Sequence, residues 1–382
     1  MNLAERFSED YCTARKRFRI AAATADWAVE SHPIAGVGPH GEKLTIDVAV
    51  SPEEDAQRAL VLSSGLHGVE LPLGSAVQLE TLARWREFRS AFPKVRCVLW
   101  HGLNPYGAAW SRRWNENNID LNRNFLLADE TFAGAPPGYA ALSPLLNPPY
   151  SPGWFDFFLT RSALAVLRHG MAPLKQAIAA GQYEVPRGLF FGGHAAAETQ
   201  RIVAEHLPRH LAGVNQVLHL DFHTGLGPRG VGKLLLESAL TESQRSGLET
   251  CFGAENFEAA TSEGLAYTAR GGWGRWCAAR QLAPDYLFAC AEFGTYAPLA
   301  VLHGLRRENQ AHHFARPNAR ATQAAKRDLR ELFCPADSVW RQETFATGVD
   351  WVRRGLQYLQ TNATPPPAVP SAASSPSRHE SR

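Results

Sequence analysis

The sequence contains few cysteines for its 382 residues, and no two of them have the CxxC spacing of a metal or redox motif. The six cysteines are Cys12, Cys97, Cys251, Cys277, Cys290 and Cys334. Scattered thiols in a chain of this length are typical of free buried cysteines, not of a disulfide framework or a cysteine-based zinc site. We therefore expect a protein of the reducing cytoplasm.

The sequence also lacks an excess of either charge and any long hydrophobic run. Its 39 Lys and Arg residues nearly balance its 37 Asp and Glu residues, so the basic pattern of a nucleic-acid-binding protein is missing. No window approaches the roughly 18 uncharged apolar residues of a membrane span. The N-terminal segment MNLAERFSEDYCTARKRFRI is charged throughout, unlike a secretory signal. We expect neither nucleic acid nor membrane as a partner.

Three common catalytic fingerprints are missing as well. The sequence has no GxSxG nucleophile elbow, no phosphate-binding P-loop and no GxGxxG dinucleotide motif. The sequence therefore lacks the main evidence that would predict a serine hydrolase or a nucleotide-dependent enzyme.

What the sequence contains is a normal globular balance, with 45% hydrophobic and 20% charged residues. Segments 42–51, 58–65 and 94–101 are predicted strands. The apolar runs VNQVLHLDFHTGLGP and DYLFACAEFGTY are typical of strands buried on both faces of a mostly parallel sheet. Helical spacing is found in segments 74–88, 163–182, 301–315 and 321–332. We predict an α/β fold in which a mixed, mainly parallel central sheet is flanked by helices.

Four further predictions concern the remaining segments. Residues 1–35 are predicted to be mainly helical, residues 129–160 irregular, and the segment GLFFGG (188–193) a short strand. Residues 361–382 are rich in proline and serine without apolar anchors, which predicts a disordered tail. The domain organisation is then one catalytic domain over residues 1–360 and the tail.

Polar clusters follow four of the predicted strands. They are His67 with Glu70, the segment RRWNENNIDLNRNF (112–125), Asp221 with His223, and Glu292. Ligands of open α/β sheets bind at the carboxyl ends of the strands, so these clusters are candidates for a single site. Each cluster alone has a plainer interpretation, such as a capping pair, a core histidine or a polar loop.

His67, Glu70 and His223 together form a two-histidine, one-glutamate set. A zinc ion held by three such ligands keeps a fourth position for water, and it polarises carbonyls and acidifies that water. Manganese or cobalt also suits this ligand set. Asp221 is a candidate to orient an imidazole from outside the metal shell.

The segments GLHGVE, RRWNENNIDLNRNF, LDFHTGLGP and EFGTY, in this order, resemble the zinc carboxypeptidase family. More closely, they are similar to an uncharacterised bacterial branch described as carboxypeptidase-like or deacylase-like. The resemblance covers roughly residues 40–315. It implies a zinc carboxypeptidase-like fold with one Zn²⁺ per chain.

The resemblance also implies a role for each matching residue. His67, Glu70 and His223 correspond to the zinc ligands, and Glu292 corresponds to the general base. Asn122 and Arg123 correspond to the pair that holds the substrate carboxylate.

Two correspondences stay open. Arg113 corresponds to the arginine that polarises the scissile carbonyl, with the adjacent Arg112 as the alternative. The tyrosine that closes on substrate in this family has only two candidates here, Tyr267 and Tyr296.

The predicted function is a zinc-dependent hydrolase that cleaves an amide or peptide bond beside a free carboxylate, in the manner of a metallocarboxypeptidase. Its expected partner is a peptide or small-molecule substrate with that carboxylate. One alternative is an aspartoacylase-like deacylase of small N-acyl amino acids. A second, from another class, is a non-catalytic zinc- or carboxylate-binding module.

Overall fold

A mixed sheet forms the centre of the fold in a computed structural model that describes residues 3–53, 55–153, 156–169, 180–259 and 270–361. Its strands are β1 (Ala28–Val37), β2 (Lys43–Val50), β3 (Arg58–Ser64), β4 (Val95–His101), β5 (Gln216–Arg229), β6 (Gly232–Leu236), β7 (Phe257–Ala259) and β8 (Asp285–Gly294). Their order across the sheet is β1-β2-β4-β3-β5-β8-β6-β7.

The four inner strands β4, β3, β5 and β8 run parallel to one another, as do β6 and β7. Antiparallel pairings join β1 to β2, β2 to β4 and β6 to β8. The predicted fold class, a mixed and mainly parallel sheet flanked by helices, is confirmed.

The α-helices of the described residues lie around this sheet. They are α1 (Leu3–Arg6), α2 (Tyr11–Thr24), α3 (Leu71–Ala83), α4 (Trp85–Ala91), α5 (Pro105–Ala109), α6 (Tyr139–Leu146), α7 (Phe158–His169), α8 (Glu198–His210), α9 (Glu242–Phe252), α10 (Trp273–Ala279), α11 (Pro298–Phe314), α12 (Arg320–Phe333) and α13 (Ser338–Thr361). Short 3₁₀ turns occur at Gly68–Glu70, Leu121–Arg123 and Ala254–Asn256.

Both faces of the inner strands are buried. On β3, Leu60 and Leu62 belong to one apolar cluster with residues of α3 and α13. Ala59 and Val61, which alternate with them, belong to a second cluster with residues of α8 and α10. This alternation explains why the inner strands are continuously apolar in sequence.

The predicted helix over residues 1–35 is wrong in its last part. Helix α2 ends at Thr24, and Ala28–Val37 forms the edge strand β1. Asp26 has a positive φ of 60°, which turns the chain out of the helix. The following segment is extended because it pairs with β2.

Two other predictions also need correction. GLFFGG is not a strand, because it makes only an isolated bridge between Gln182 and Phe191. Segment 129–160 contains the helix α6 and the start of α7.

The tail prediction concerns residues that lie outside the described part of the chain, apart from Thr361 at the end of α13. No helix within the described residues has the length and apolar character that crossing a bilayer needs.

Candidate metal centre

The predicted site residues meet at the carboxyl ends of three parallel strands. His67 and Glu70 follow β3, His223 lies on β5 and Glu292 lies on β8. His223 and Glu292 are direct register partners on neighbouring strands. Sheet register and the turn after β3 therefore bring these four residues together.

Glu70 is the centre of the cluster. Its Oε1 lies 2.9 Å from Nδ1 of His67, and its Oε2 lies 3.0 Å from Nδ1 of His223. The two imidazole rings are 4.9 Å apart between centroids and inclined at 69°. One ligand atom from each of the three residues lies within 4.8 Å of the others. All three side chains are buried.

An aspartate contacts Nε2 of each histidine, the ring nitrogen that does not face Glu70. Nε2 of His67 lies 3.2 Å from Oδ1 of Asp120, and Nε2 of His223 lies 2.6 Å from Oδ2 of Asp221. Carboxylates in this position orient metal-binding imidazoles and raise their basicity. Asp221 has the place expected from the sequence, whereas Asp120 is an additional member of the site that was not predicted.

The residues fit a divalent cation. Nδ1 of His67 is buried and makes no hydrogen bond with any described residue, although Oε1 of Glu70 is only 2.9 Å away. The imidazole and the carboxylate are therefore close without the alignment that a shared proton requires. Two imidazole nitrogens and a carboxylate are also the donor set of catalytic zinc sites.

Neighbouring charges lower the pKa values of two carboxylates in this group, those of Asp120 and Glu70. Burial would raise the pKa of Asp120, but Arg113 and His67 hold it well below its usual range. Burial would likewise raise the pKa of Glu70, which His67 and His223 lower. Burial would lower the pKa of His223, yet Asp221 and Glu70 raise it well above its usual value.

Close backbone packing holds the turn that carries His67 and Glu70. The amide of Gly68 donates to the carbonyl of Arg113, and the amide of Val69 donates to the carbonyl of Arg112. A Cβ at Gly68 would lie 2.1 Å from the carbonyl carbon of Gly107, so only glycine fits there.

The two adjacent arginines have different surroundings. Nε of Arg113 donates to Oδ2 of Asp120 at 2.9 Å, and its Nη1 lies 3.5 Å from Oε1 of Glu70. Arg112 is fully buried in another network, 3.3 Å from Glu308 and 3.0 Å from Asn118. Of the two candidates, Arg113 is therefore the one located at the metal centre.

Glu292 lies beside His223, its register partner on β5. One of its carboxylate oxygens is within 4.8 Å of a ring nitrogen of His223. Its Oε1 accepts a hydrogen bond of 2.8 Å from the amide of Leu226. Burial, reinforced by the charge of Glu70, raises the pKa of Glu292 to about 7.

Asn122 and Arg123 lie on the turn that begins at Asp120. Oδ1 of Asn122 accepts a hydrogen bond of 3.0 Å from the amide of Trp273, the first residue of α10. Nη1 of Arg123 donates to the carbonyl of Asn122 at 2.6 Å, and the side chain is buried. Gly271 packs so closely on Arg123 that a Cβ there would lie 2.2 Å from its carbonyl oxygen.

A carboxylate that was not predicted completes the surroundings of Arg123. Glu237 follows β6, and its Oε2 accepts a hydrogen bond of 3.0 Å from the amide of Arg275. Burial raises its pKa, while the charges of Arg123 and His223 act in the opposite direction. No motif marks this residue, because it follows a short strand that was not predicted.

The structure supports neither of the two candidates for the tyrosine that closes on substrate. Tyr267 lies outside the described residues. The hydroxyl of Tyr296 donates to Oε1 of Glu331 at 2.7 Å, and the guanidinium of Arg229 stacks on its ring. These contacts are with α12 and the end of β5 and involve none of the metal-centre residues.

The chain is similar to several solved structures, all at low identity. Bovine thrombin-activatable fibrinolysis inhibitor, in complex with tick carboxypeptidase inhibitor, is 12% identical over 91% of this chain and 98% of its own, with a TM-score of 0.45. Carboxypeptidase A from Helicoverpa armigera is 12% identical over 84% and 73%, with a TM-score of 0.45. A metallo-carboxypeptidase from Burkholderia cenocepacia is 11% identical over 91% and 69%, with a TM-score of 0.41.

No curated protein matches the sequence significantly. A family match covers residues 7–347, which include every residue of the metal centre described above. The chain belongs to the family described as "Protein of unknown function (DUF2817)".

Proposed function

We propose that this protein is a zinc-dependent hydrolase that cleaves an amide or peptide bond next to a free carboxylate. One observation carries the proposal. The Nδ1 atoms of His67 and His223 both face the carboxylate of Glu70, while Asp120 and Asp221 hold the opposite nitrogens of the two rings. Three ligands of this kind, with each histidine oriented by a carboxylate on its other ring nitrogen, are typical of a catalytic metal site.

In this proposal His67, Glu70 and His223 hold one Zn²⁺ per chain. A divalent ion in such a site supplies a Lewis acid that polarises a carbonyl and favours ionisation of water near neutral pH.

Glu292 is the proposed general base. Its carboxylate is buried beside His223, and its pKa of about 7 suits a group that takes and returns a proton near neutrality. It would accept a proton from the attacking water and pass it to the leaving amine. The hydrogen bond from Leu226 keeps one oxygen fixed, so the carboxylate is oriented before substrate binds.

Arg113, Asn122 and Arg123 are the proposed substrate contacts. Arg113 is positively charged and lies against Glu70, where it would stabilise the charge that develops on the carbonyl oxygen. Arg123 has a planar guanidinium that suits a carboxylate, and Asn122 lies next to it. A peptide C-terminus and an N-acyl amino acid both present an amide beside a carboxylate. The same contacts therefore serve a carboxypeptidase and a deacylase of the aspartoacylase kind.

The test is a substrate screen with defined metal content. Purified protein is stripped with a chelator, reloaded with Zn²⁺, Mn²⁺ or Co²⁺, and assayed by liquid chromatography on C-terminal dipeptides and N-acyl amino acids. We expect turnover of one of the two substrate sets only after metal is restored. Zinc binding without hydrolysis of either set would favour a non-catalytic binding module.

A further inference from the structure

A second cluster of metal-binding side chains lies on the edge strand β1 and helix α8. Glu30 and His32 are two residues apart on β1, so they project from the same face of the sheet. His206 and His210 are four residues apart on α8 and share one face of that helix. The two pairs face each other across the contact between strand and helix.

The donor atoms of this cluster lie close to one another. Oε2 of Glu30 lies 3.2 Å from Nε2 of His32 and 3.8 Å from Nδ1 of His206. The rings of His32 and His206 are 4.0 Å apart between centroids. One donor atom from each of these three residues lies within 4.8 Å of the others.

The ring nitrogen of His32 that faces Glu30 is buried and makes no hydrogen bond within the described residues. Nε2 of His32 makes no hydrogen bond with any described residue, although the carboxylate of Glu30 is 3.2 Å away. Nδ1 of His67 shows the same combination in the first centre. A nitrogen close to a carboxylate but not aligned for a shared proton is positioned for a cation that both atoms bind.

His210 contacts and orients the carboxylate of Glu30. Its Nε2 lies 3.1 Å from Oε1 of Glu30, and its ring packs on Trp100 at 5.5 Å between centroids. It therefore fixes the carboxylate of Glu30 in the way that Asp120 fixes His67. The ring of His32 also lies near Trp100, at 6.3 Å and nearly parallel.

Strand β1 and helix α8 pack on each other beneath the cluster, and one side of the cluster is open to solvent. Ile34 follows on the same face of β1 and is buried in one apolar cluster with Val203 and Leu207 of α8. The side chain of Glu30 is 45% exposed, so an ion can reach the cluster from solvent. Ligands that are fixed before binding lose little entropy when the ion arrives.

We propose that Glu30, His32 and His206 form a second divalent-cation site, suited to Zn²⁺, with His210 positioning Glu30. Imidazole nitrogens with one carboxylate favour zinc over magnesium or calcium. β1 is four strands away from β5, about 19 Å at the usual strand spacing, so this site is separate from the hydrolytic centre. A cation here joins the outer strand of the sheet to α8 and stabilises an otherwise exposed edge.

The test compares zinc stoichiometry in untagged full-length variants that have been stripped of metal. Isothermal titration with a competing chelator should give two zinc equivalents for the parent chain and one for H32N/H206N. The variant His40→Asn, which changes an exposed histidine outside the cluster, should retain two. H67N/H223N should also bind one equivalent, at the second site.

Thermal unfolding provides an independent readout. Micromolar Zn²⁺ should raise the melting temperature of H67N/H223N, and adding E30Q or H32N/H206N to that variant should remove the shift. Glu30 is half-exposed, so E30Q is expected to fold. It can therefore replace H32N/H206N in both measurements if that double variant fails to fold. A single equivalent in the parent chain that persists in H32N/H206N and disappears in H67N/H223N, or two equivalents in H32N/H206N, would overturn the proposal. Because each centre has its own pair of variants, failure of one is distinguished from failure of the other.

Discussion

Asp221 and His223 lie two residues apart on β5, and Oδ2 of the aspartate is 2.6 Å from Nε2 of the histidine. Because alternate residues of a strand share a face, the strand itself aligns the two side chains. Oδ1 of Asp221 accepts a hydrogen bond from Ser63 on the neighbouring strand, so the carboxylate is fixed in turn. The imidazole of His223 is thereby oriented by the sheet and needs no metal to set its direction.

The aspartates behind the rings should control zinc affinity. We expect Asp120→Asn and Asp221→Asn each to weaken binding by about 10- to 100-fold, because each removes the charge that orients one imidazole. Chelator competition measures the affinity. Asp328→Asn, at an exposed pair with Arg307, is the control and should bind zinc as the parent does. Unchanged affinity in both site variants would show that the aspartates have no such role.

Glu292→Gln should separate turnover from metal binding. We expect kcat to fall by roughly 10²- to 10⁴-fold, because the amide cannot accept the proton of the attacking water. Zinc content, measured by elemental analysis, should stay at the parental level. Glu249→Gln, on the exposed side of α9, is the matched control. Parental turnover in Glu292→Gln would remove the general base from the proposal.

Arg113 and Arg112 should have opposite phenotypes although they are adjacent. Arg113→Ala should lower kcat/KM by about 10²- to 10³-fold, as expected when a donor to the developing oxyanion is lost. Arg112→Ala should instead lower the free energy of unfolding by about 1–3 kcal/mol, because the buried carboxylate of Glu308 loses one of its two cationic partners and keeps only Lys326. Steady-state kinetics and urea unfolding measure the two effects. The reverse pattern would exchange the roles of the two arginines.

Zinc affinity should rise with pH. The pKa of His223 is raised in the folded, metal-free chain, so its charge stabilises that chain below the unfolded value of about 6.5. This contribution is lost as pH rises through the raised pKa. A protonated imidazole cannot bind the ion, so binding releases a proton, and affinity should increase up to about tenfold per pH unit above neutrality. A flat profile in chelator competition between mildly acidic and mildly alkaline pH would contradict this prediction.

The inner strands, and the convergence of three residues of the candidate metal centre, were predictable because their signals are local. Buried parallel strands are continuously apolar, and His67, Glu70 and His223 follow or end such strands. Asp120 was quoted only as part of a motif, since nothing in its spacing shows that it faces an imidazole more than fifty residues away. Arg113 could be distinguished from Arg112 only by its contacts, because adjacent residues in an irregular segment have no periodicity that assigns their directions.

The edge strand β1 illustrates the opposite case. Its residues are mostly exposed, and the pattern that places Glu30 and His32 towards α8 is short and mixed. Pairing with β2 overrides the helical character of the preceding segment, and this is a tertiary effect. The cluster with His206 was therefore invisible before the strand and the helix were seen together.

His223 and Glu292 are paired directly across two neighbouring strands, so the proposed general base is placed beside the proposed metal ligand by strand register. Deleting a single residue from β8 upstream of Glu292 would turn its carboxylate to the opposite face while leaving the sheet's composition almost intact. If the proposed function holds, a chain with this deletion would lack its general base.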